Sequence, residues 1–178
     1  MSRLDQIDGV KLITKNPLVD KRGYFREWFS TSSLTQLTGK ETTFKQGNFS
    51  LSKKGTIRGI HFSTSGEGQA KLVTCLTGKI WDVVVDLRKN SSSYGQWIAN
   101  ELTPENGRSI FIPSGLGHGF QALEEDSTIA YLLSSEYDPS SEASIHPFDK
   151  SLDIDWPLPV TFISERDKTA PPLQAFQN

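Results

Sequence analysis

An all-β fold, a sandwich or barrel with Greek-key connections and most naturally a cupin-like jelly roll, is what this sequence predicts. Three observations carry that expectation. Short runs rich in Val, Ile, Thr and aromatic residues recur at fairly regular spacing. Clusters of Gly, Pro, Asn and Ser separate them. In the clearest run, GKIWDVVVDLR, side chains alternate with period two: Trp81, Val83 and Val85 on one face, Asp82, Val84 and Asp86 on the other.

Taken in order, strands are expected near 10–14 (VKLIT), 24–29 (YFREWF), 44–50, 56–63, 71–76, 79–88, 97–102, 109–112, 119–124 and 128–135. So many short strands in one chain favour a closed or two-sheet architecture over a single open sheet. A short helix fits 31–38 (TSSLTQLT), where the Ser/Thr-rich start is suited to capping. From about Pro139 the alternation fades and prolines multiply. This C-terminal segment is expected to be irregular and wrapped on the barrel, with a turn or two of helix near 147–153. No repeat, low-complexity tract or linker divides the chain, so residues 1–178 read as one domain with room for one sizeable core.

The bulk properties exclude several function classes. A formal net charge of -2 gives no basis for binding a nucleic acid polymer or an anionic membrane surface. No run approaches the roughly 20 apolar residues of a membrane span, and MSRLDQIDGVKL lacks the apolar core of a signal peptide. The single cysteine, Cys75, cannot form a disulfide within the chain and suits a reducing compartment. A soluble cytoplasmic protein is the expectation.

The stretch TIRGIHFSTSGEGQAKLV (56–73) poses the functional question. A strand destined for a barrel wall carries Arg58 and His61, and Lys71 opens the next apolar run. Cationic and titratable groups in such places call for something anionic or reactive among them. Arg58 and His61 are three residues apart, so a flat strand would aim them at opposite faces. Either Gly59 marks a bulge that re-aims one of them, or the arginine serves another part of the site. The three histidines, His61, His118 and His146, include no pair separated by one residue on a strand, so a catalytic metal is not expected. His118 lies between Gly117 and Gly119, where backbone can approach a ligand closely. Arg22, Arg26, Arg58 and Lys71 would suit a pyrophosphate if the fold gathers them. On its own, each of these residues also has a structural reading: a satisfied core histidine, a solvated lysine, or a packed tyrosine at Tyr131.

Taken together and in order, RGIHF, KLV, GKIWDVVVDLR, SSSYGQW, IPSGLGHGF and a final WP followed by SERD resemble the dTDP-4-dehydrorhamnose 3,5-epimerase family. The resemblance runs from KRGYFRE to SERDKTAPPL, nearly the whole chain. It implies a jelly roll, a homodimer with shared strands, no metal or organic cofactor, and a dTDP-linked 4-keto sugar as substrate. It also implies roles: His61 as base, Asp167 as its carboxylate partner, Tyr131 as acid on the other face of the sugar, and Lys71 near the C4 oxygen. Arg22, Glu27, Gln46, Asn48, Arg58, His118 and Glu142 match positions that hold nucleotide and sugar, Tyr137 the tyrosine that stacks on thymine, and Lys168 a further substrate contact. The chemistry suits the residues, because hydrogens flanking a ketone are acidic and inversion needs a base and an acid on opposite sides of the ring. Departures from the family pattern fall at Gly47 and Phe49, at Leu116-Gly117 and in the loop STSGEGQA, leaving a C3-only or C5-only epimerase as the alternative. A sugar-nucleotide-binding jelly roll without activity is the alternative outside the enzymes.

Overall fold

A computed structural model describes residues 6–66 and 68–177. Twelve strands and two α-helices occur among them: β1 Lys11–Thr14, β2 Leu18–Asp20, β3 Gly23–Phe25, α1 Thr31–Thr38, β4 Gln46–Ser52, β5 Ile57–Ser63, β6 Lys71–Thr77, β7 Ile80–Asp86, β8 Trp97–Leu102, β9 Arg108–Ile112, β10 Leu116–Ala122, β11 Ser127–Leu133, β12 Glu142–Ser144 and α2 Glu165–Lys168. A 3-10 turn follows at Leu173–Phe176. No helix among the described residues is long and apolar enough to cross a membrane.

Ten strands form two five-stranded antiparallel sheets, ordered β1-β9-β6-β11-β4 and β12-β5-β10-β7-β8. Consecutive strands repeatedly fall in opposite sheets, as a jelly roll requires. Alternation then sorts the side chains. Val73 and Cys75 of β6, Ile110 and Ile112 of β9 and Ile129 of β11 meet Ile80 and Val84 of β7, Ile98 and Leu102 of β8 and Phe120 of β10 between the sheets. The opposite phase is buried too, which is why β7 reads as a nearly unbroken apolar run. On the outside of the second sheet, Val83, Val85, Trp81 and Trp97 are covered by Ile145, Leu152, Trp156 and Leu173 of the C-terminal segment. On the outside of the first, Leu72, Phe111 and Leu132 are covered by Leu34 of α1 with Trp28, Phe29 and Phe44.

The C-terminal segment is a strap pinned at several points. The Trp97 indole donates to the Leu152 carbonyl at 2.8 Å, and Gln121 exchanges two hydrogen bonds with the backbone of Leu158. Near 147–153 the expected helix reduces to turns. Asp149 accepts the Ser151 amide through its side chain, and the chain leaves the helical region at Asp153, φ +47°. The helices of the strap lie further on, at α2 and the 3-10 turn.

One strand and one helix cap differ from expectation. The predicted strand at 24–29 pairs only as far as Phe25, in a small hairpin with β2. Beyond it the Arg26 guanidinium turns onto Thr74 Oγ1 and the Cys75 carbonyl, and Trp28 and Phe29 dip into the α1 cluster. Helix α1 forms over the expected residues and ends at Gly39, φ +73°, whose amide bonds the Thr35 carbonyl. Ser30 occupies the N-cap position, but its hydroxyl donates to Ser33 Oγ rather than capping the helix.

Candidate active site

The cavity is built from the same inward phase that builds the core. Lys71 shares its phase with Val73 and Cys75, Tyr131 with Ile129 and Leu133, and His118 with Leu116 and Phe120. Where these stripes run out of apolar residues, they present polar ones to a cavity of about 230 Å³. Tyr131, Lys71, Asn48 and Ser50 come from the first sheet; Arg58, His61, His118 and Glu142 come from the second.

Arg58 and His61 do share this cavity, because β5 carries a bulge. Arg58 lies opposite Phe120 and His61 opposite His118, so three steps along β5 match two along β10. Gly59 sits in the extra step at φ +128°, and a Cβ there would come 2.5 Å from Gly119 Cα. Only glycine serves at this crossing.

His61 Nε2 lies 2.6 Å from Asp167 Oδ1. The carboxylate is 2 % exposed and the imidazole 30 %, so the pair is dry on one side and faces the cavity on the other. Asp167 Oδ2 also accepts the Gly59 amide, and the Asp167 amide donates to Ser164 Oγ, the N-cap of α2. Burial alone would push the Asp167 carboxyl up. The His61 contact, the Gly59 amide and the Ser164 hydroxyl outweigh it and hold the group below the usual carboxylate range. Asp167 therefore stays anionic and holds Nε2 of His61, leaving Nδ1 as the ring's other nitrogen.

Burial pushes the Lys71 ammonium down to about 8, against the attraction of Glu142 and Asp82. Its Nζ donates to the His61 carbonyl at 3.4 Å, a long bond that leaves most of its donor capacity unused. Glu142 lies 3.7 Å from Arg166, and Arg166 is anchored to Ser144 Oγ. His118 Nε2 lies 2.7 Å from Asp82 Oδ2, a second imidazole–carboxylate pair in the same wall.

The other residues singled out in the sequence divide into two sets. Asn48 and Tyr137 line the cavity, and Gln46 stands behind them, donating to Asn48 Oδ1 and accepting the Tyr137 amide. Arg22, Glu27 and Lys168 stand away from it. Arg22 is 90 % exposed and bound to Asp20, Glu27 pairs with Lys15, and Lys168 pairs with Glu165. Of the departures from the family pattern, Phe49 is 77 % exposed on the outer face of β4, where Gly47 shares its phase, and Leu116 is in the core. None of the three lines the cavity.

Sequence reasoning missed Arg166, and it marked the loop STSGEGQA without singling out its Gln69, which lines the cavity. The run SERDK offers two cations, and in α2 it is Arg166, beside Asp167, that reaches the wall. Helix phase could not be assigned for so short a helix. Gln69 belongs to the loop before β6 and is clamped to Ser135 Oγ at 2.9 Å. Among the described residues, no group of three or more His, Cys, Asp and Glu side chains is arranged to hold a metal ion.

Comparison with known proteins finds relatives along nearly the whole chain. Residues 5–175 match the family described as dTDP-4-dehydrorhamnose 3,5-epimerase. A Mycolicibacterium smegmatis protein named dTDP-4-dehydrorhamnose 3,5-epimerase is 43% identical over 96% of this chain and 85% of its own length. A Streptomyces niveus protein named dTDP-4-dehydrorhamnose 3-epimerase is 42% identical over 92% of this chain and 79% of its own. A crystal structure of the Legionella pneumophila dTDP-6-deoxy-D-glucose-3,5-epimerase, in complex with dTDP-4-keto-L-rhamnose, superposes with a TM-score of 0.90 at 42% identity, covering 95% of this chain and 90% of that one.

Proposed function

The chain belongs to the dTDP-4-dehydrorhamnose 3,5-epimerase family, and we propose that it inverts C3 and C5 of a dTDP-linked 4-keto-6-deoxyhexose without a cofactor. The observation that carries this reading is the placement of two proton-transfer groups on opposite walls. His61, backed by Asp167, stands on β5 in one sheet, and Tyr131 stands on β11 in the other. A sugar ring between the sheets meets a base on one face and an acid on the other, as inversion requires.

His61 takes the proton from the carbon beside the ketone, and Asp167 stabilises the imidazolium that forms. The electron pair moves onto the C4 oxygen, where the Lys71 ammonium stabilises the enolate. Tyr131 returns a proton to the opposite face of the same carbon. Once His61 has released its proton to solvent and Tyr131 has regained one from it, a repeat of the cycle at the other flanking carbon gives the double inversion. Arg58 meets the diphosphate, His118, Asn48 and Glu142 meet the sugar, and half-exposed Tyr137 stacks on the base.

A cavity of about 230 Å³ is smaller than the roughly 300–1,000 Å³ that encloses a whole drug-sized ligand. It accommodates the sugar and leaves the nucleotide at its mouth. This supports a homodimer with shared strands. The β2–β3 hairpin exposes Leu18, Val19, Tyr24 and Phe25, and β4 is a sheet edge whose outer face exposes Phe49 and Leu51. Arg22 and Glu27, which do not line this chain's own cavity, reach a partner's in such a dimer.

A second reading, inversion at C3 alone, is favoured by the near-equal identity to the Streptomyces niveus 3-epimerase. Proton NMR of dTDP-4-keto-6-deoxyglucose incubated with the protein in deuterated water separates the two. Deuterium at both C3 and C5 is the expected result. Deuterium at C3 alone establishes the second reading, and exchange at neither carbon removes both.

A further inference from the structure

We propose that Asp82 is a positioning residue for the reaction: it fixes His118 as the Nε2–H tautomer, so that the imidazole presents one defined acceptor, Nδ1, to the cavity. None of the family roles above includes Asp82, and no pattern in the sequence marks it beyond its place on the polar phase of β7.

Three observations support the assignment. Asp82 is fully buried on the inward face of β7, and its Oδ2 lies 2.7 Å from His118 Nε2. A buried carboxylate accepts and never donates when ionised, so Nε2 must carry the proton that joins them. His118 Nδ1 makes no hydrogen bond to the described residues, and the ring lines the cavity opposite His61 in the β5–β10 register. It is the ring's one polar atom left for a ligand.

The third observation lies on the other side of Asp82. Asn100 of β8 is its direct cross-strand partner, so the two side chains share a face. Asp82 Oδ1 is a buried acceptor and Asn100 Nδ2 a buried donor, and neither is bonded to the protein. Two complementary groups side by side favour an oxygen at the Oδ1 position. The two groups do not bond each other in this structure, but a buried donor on that side favours an oxygen there over a nitrogen. In Asp82→Asn the amide oxygen takes the side of Asn100 and the amide nitrogen takes the side of His118. The nitrogen then donates to Nε2, and the imidazole is forced to the Nδ1–H tautomer. The cavity loses an acceptor and gains a donor with no change in side-chain volume.

This inverted presentation distinguishes positioning from packing. The chain has only three histidines, so the imidazole nitrogens are resolvable by 15N-edited NMR, with His118 assigned by the loss of its signals in His118→Gln. In the wild-type protein, neutral His118 is expected as Nε2–H; an Nδ1–H tautomer there overturns the proposal, even if no variant folds. In Asp82→Asn the tautomer is expected to reverse and kcat to fall about 10–100-fold, the scale on which a second partner of a functional imidazole acts, while dTDP affinity stays within about threefold. A variant with reversed tautomer and wild-type kcat removes His118 orientation from the mechanism and overturns the proposal. The kinetic arm rests on the epimerase reading. Should the wild-type protein exchange neither C3 nor C5, that reading fails, while the NMR arm still decides whether Asp82 sets the tautomer.

Discussion

The cavity wall holds two histidine–carboxylate pairs, and they are built in opposite ways. His118 and Asp82 sit on adjacent strands of one sheet, β10 and β7, in positions two residues out of direct register. Ordinary strand pairing brings them together. His61 and Asp167 are 106 residues apart, and their contact requires a bulge in β5, the strap from Ile145 onward and the cap of α2 by Ser164. The in-sheet pair is 10 % exposed at its histidine and the strapped pair 30 %. A base that must receive a proton from a ligand and release it again needs that access, whereas a ligand-orienting group needs rigidity.

The largest effect expected follows from that division. His61→Asn should lower kcat by roughly 1,000-fold or more while dTDP still binds, because the proton-transfer group is gone and the nucleotide contacts remain. His118→Asn should cost less, about 10–100-fold, and part of it in KM. Steady-state kinetics on both variants, with dTDP affinity by calorimetry, reads the contrast. Equal losses in kcat would erase the distinction between the two pairs. Tyr131→Phe, on the facing wall, removes the proton donor with little change in packing, and a drop of about 100-fold or more in net epimerisation is expected. Full activity there would leave the acid unassigned.

How much of this was legible in the sequence follows the same division. Period-two alternation gave both faces of β7 from the sequence, whereas Lys71, His118 and Tyr131 were marked by residue type and resemblance, and their common inward phase comes from the paired sheets. Alternation alone sets Arg58 and His61 on opposite faces; a bulge at Gly59 was one of two explanations the sequence offered, and the β5–β10 register with the close approach of Gly59 to Gly119 decides for it. The Asp167 contact is tertiary and long-range. No local pattern encodes it, and the family resemblance alone anticipated it. Arg166 was passed over because the resemblance pointed to Lys168, and a four-residue helix has too little periodicity to correct that choice from the sequence. β12 was missed because EAS is three residues long and extended only by pairing with β5.

Lys71 sharpens the contrast between groups kept for rigidity and groups kept for chemistry. Its pKa is lowered from 10.5 to about 8 by burial, so the unfolded chain binds more protons than the folded one between those values. Stability therefore rises as pH increases from about 8 towards 10.5, and at neutral pH the buried ammonium costs on the order of 3 kcal/mol. Lys71→Met should consequently raise the thermal midpoint at pH 7 by several degrees and abolish turnover, with the stability gain shrinking as pH rises from about 8 to 10.5. A less stable variant at pH 7 would show that the attraction of Glu142 and Asp82 for the ammonium outweighs its desolvation.

The smallest effect concerns the strapped pair itself. Asp167 has a folded pKa below its unfolded one, so its contribution to stability is full above the unfolded value of about 3.8 and is lost as pH falls through the folded value. Asp167→Asn should therefore be less stable than the wild type at pH 7, by about 1–3 kcal/mol in urea denaturation, since a charged acceptor for both His61 and the Gly59 amide is lost. Below pH 3.8 the two curves should converge. A constant gap down to acidic pH would mean that the carboxyl group acts through shape alone. The strap would then be held to β5 by its apolar cover over Ile60 and Val83, and the charge of Asp167 would serve only His61.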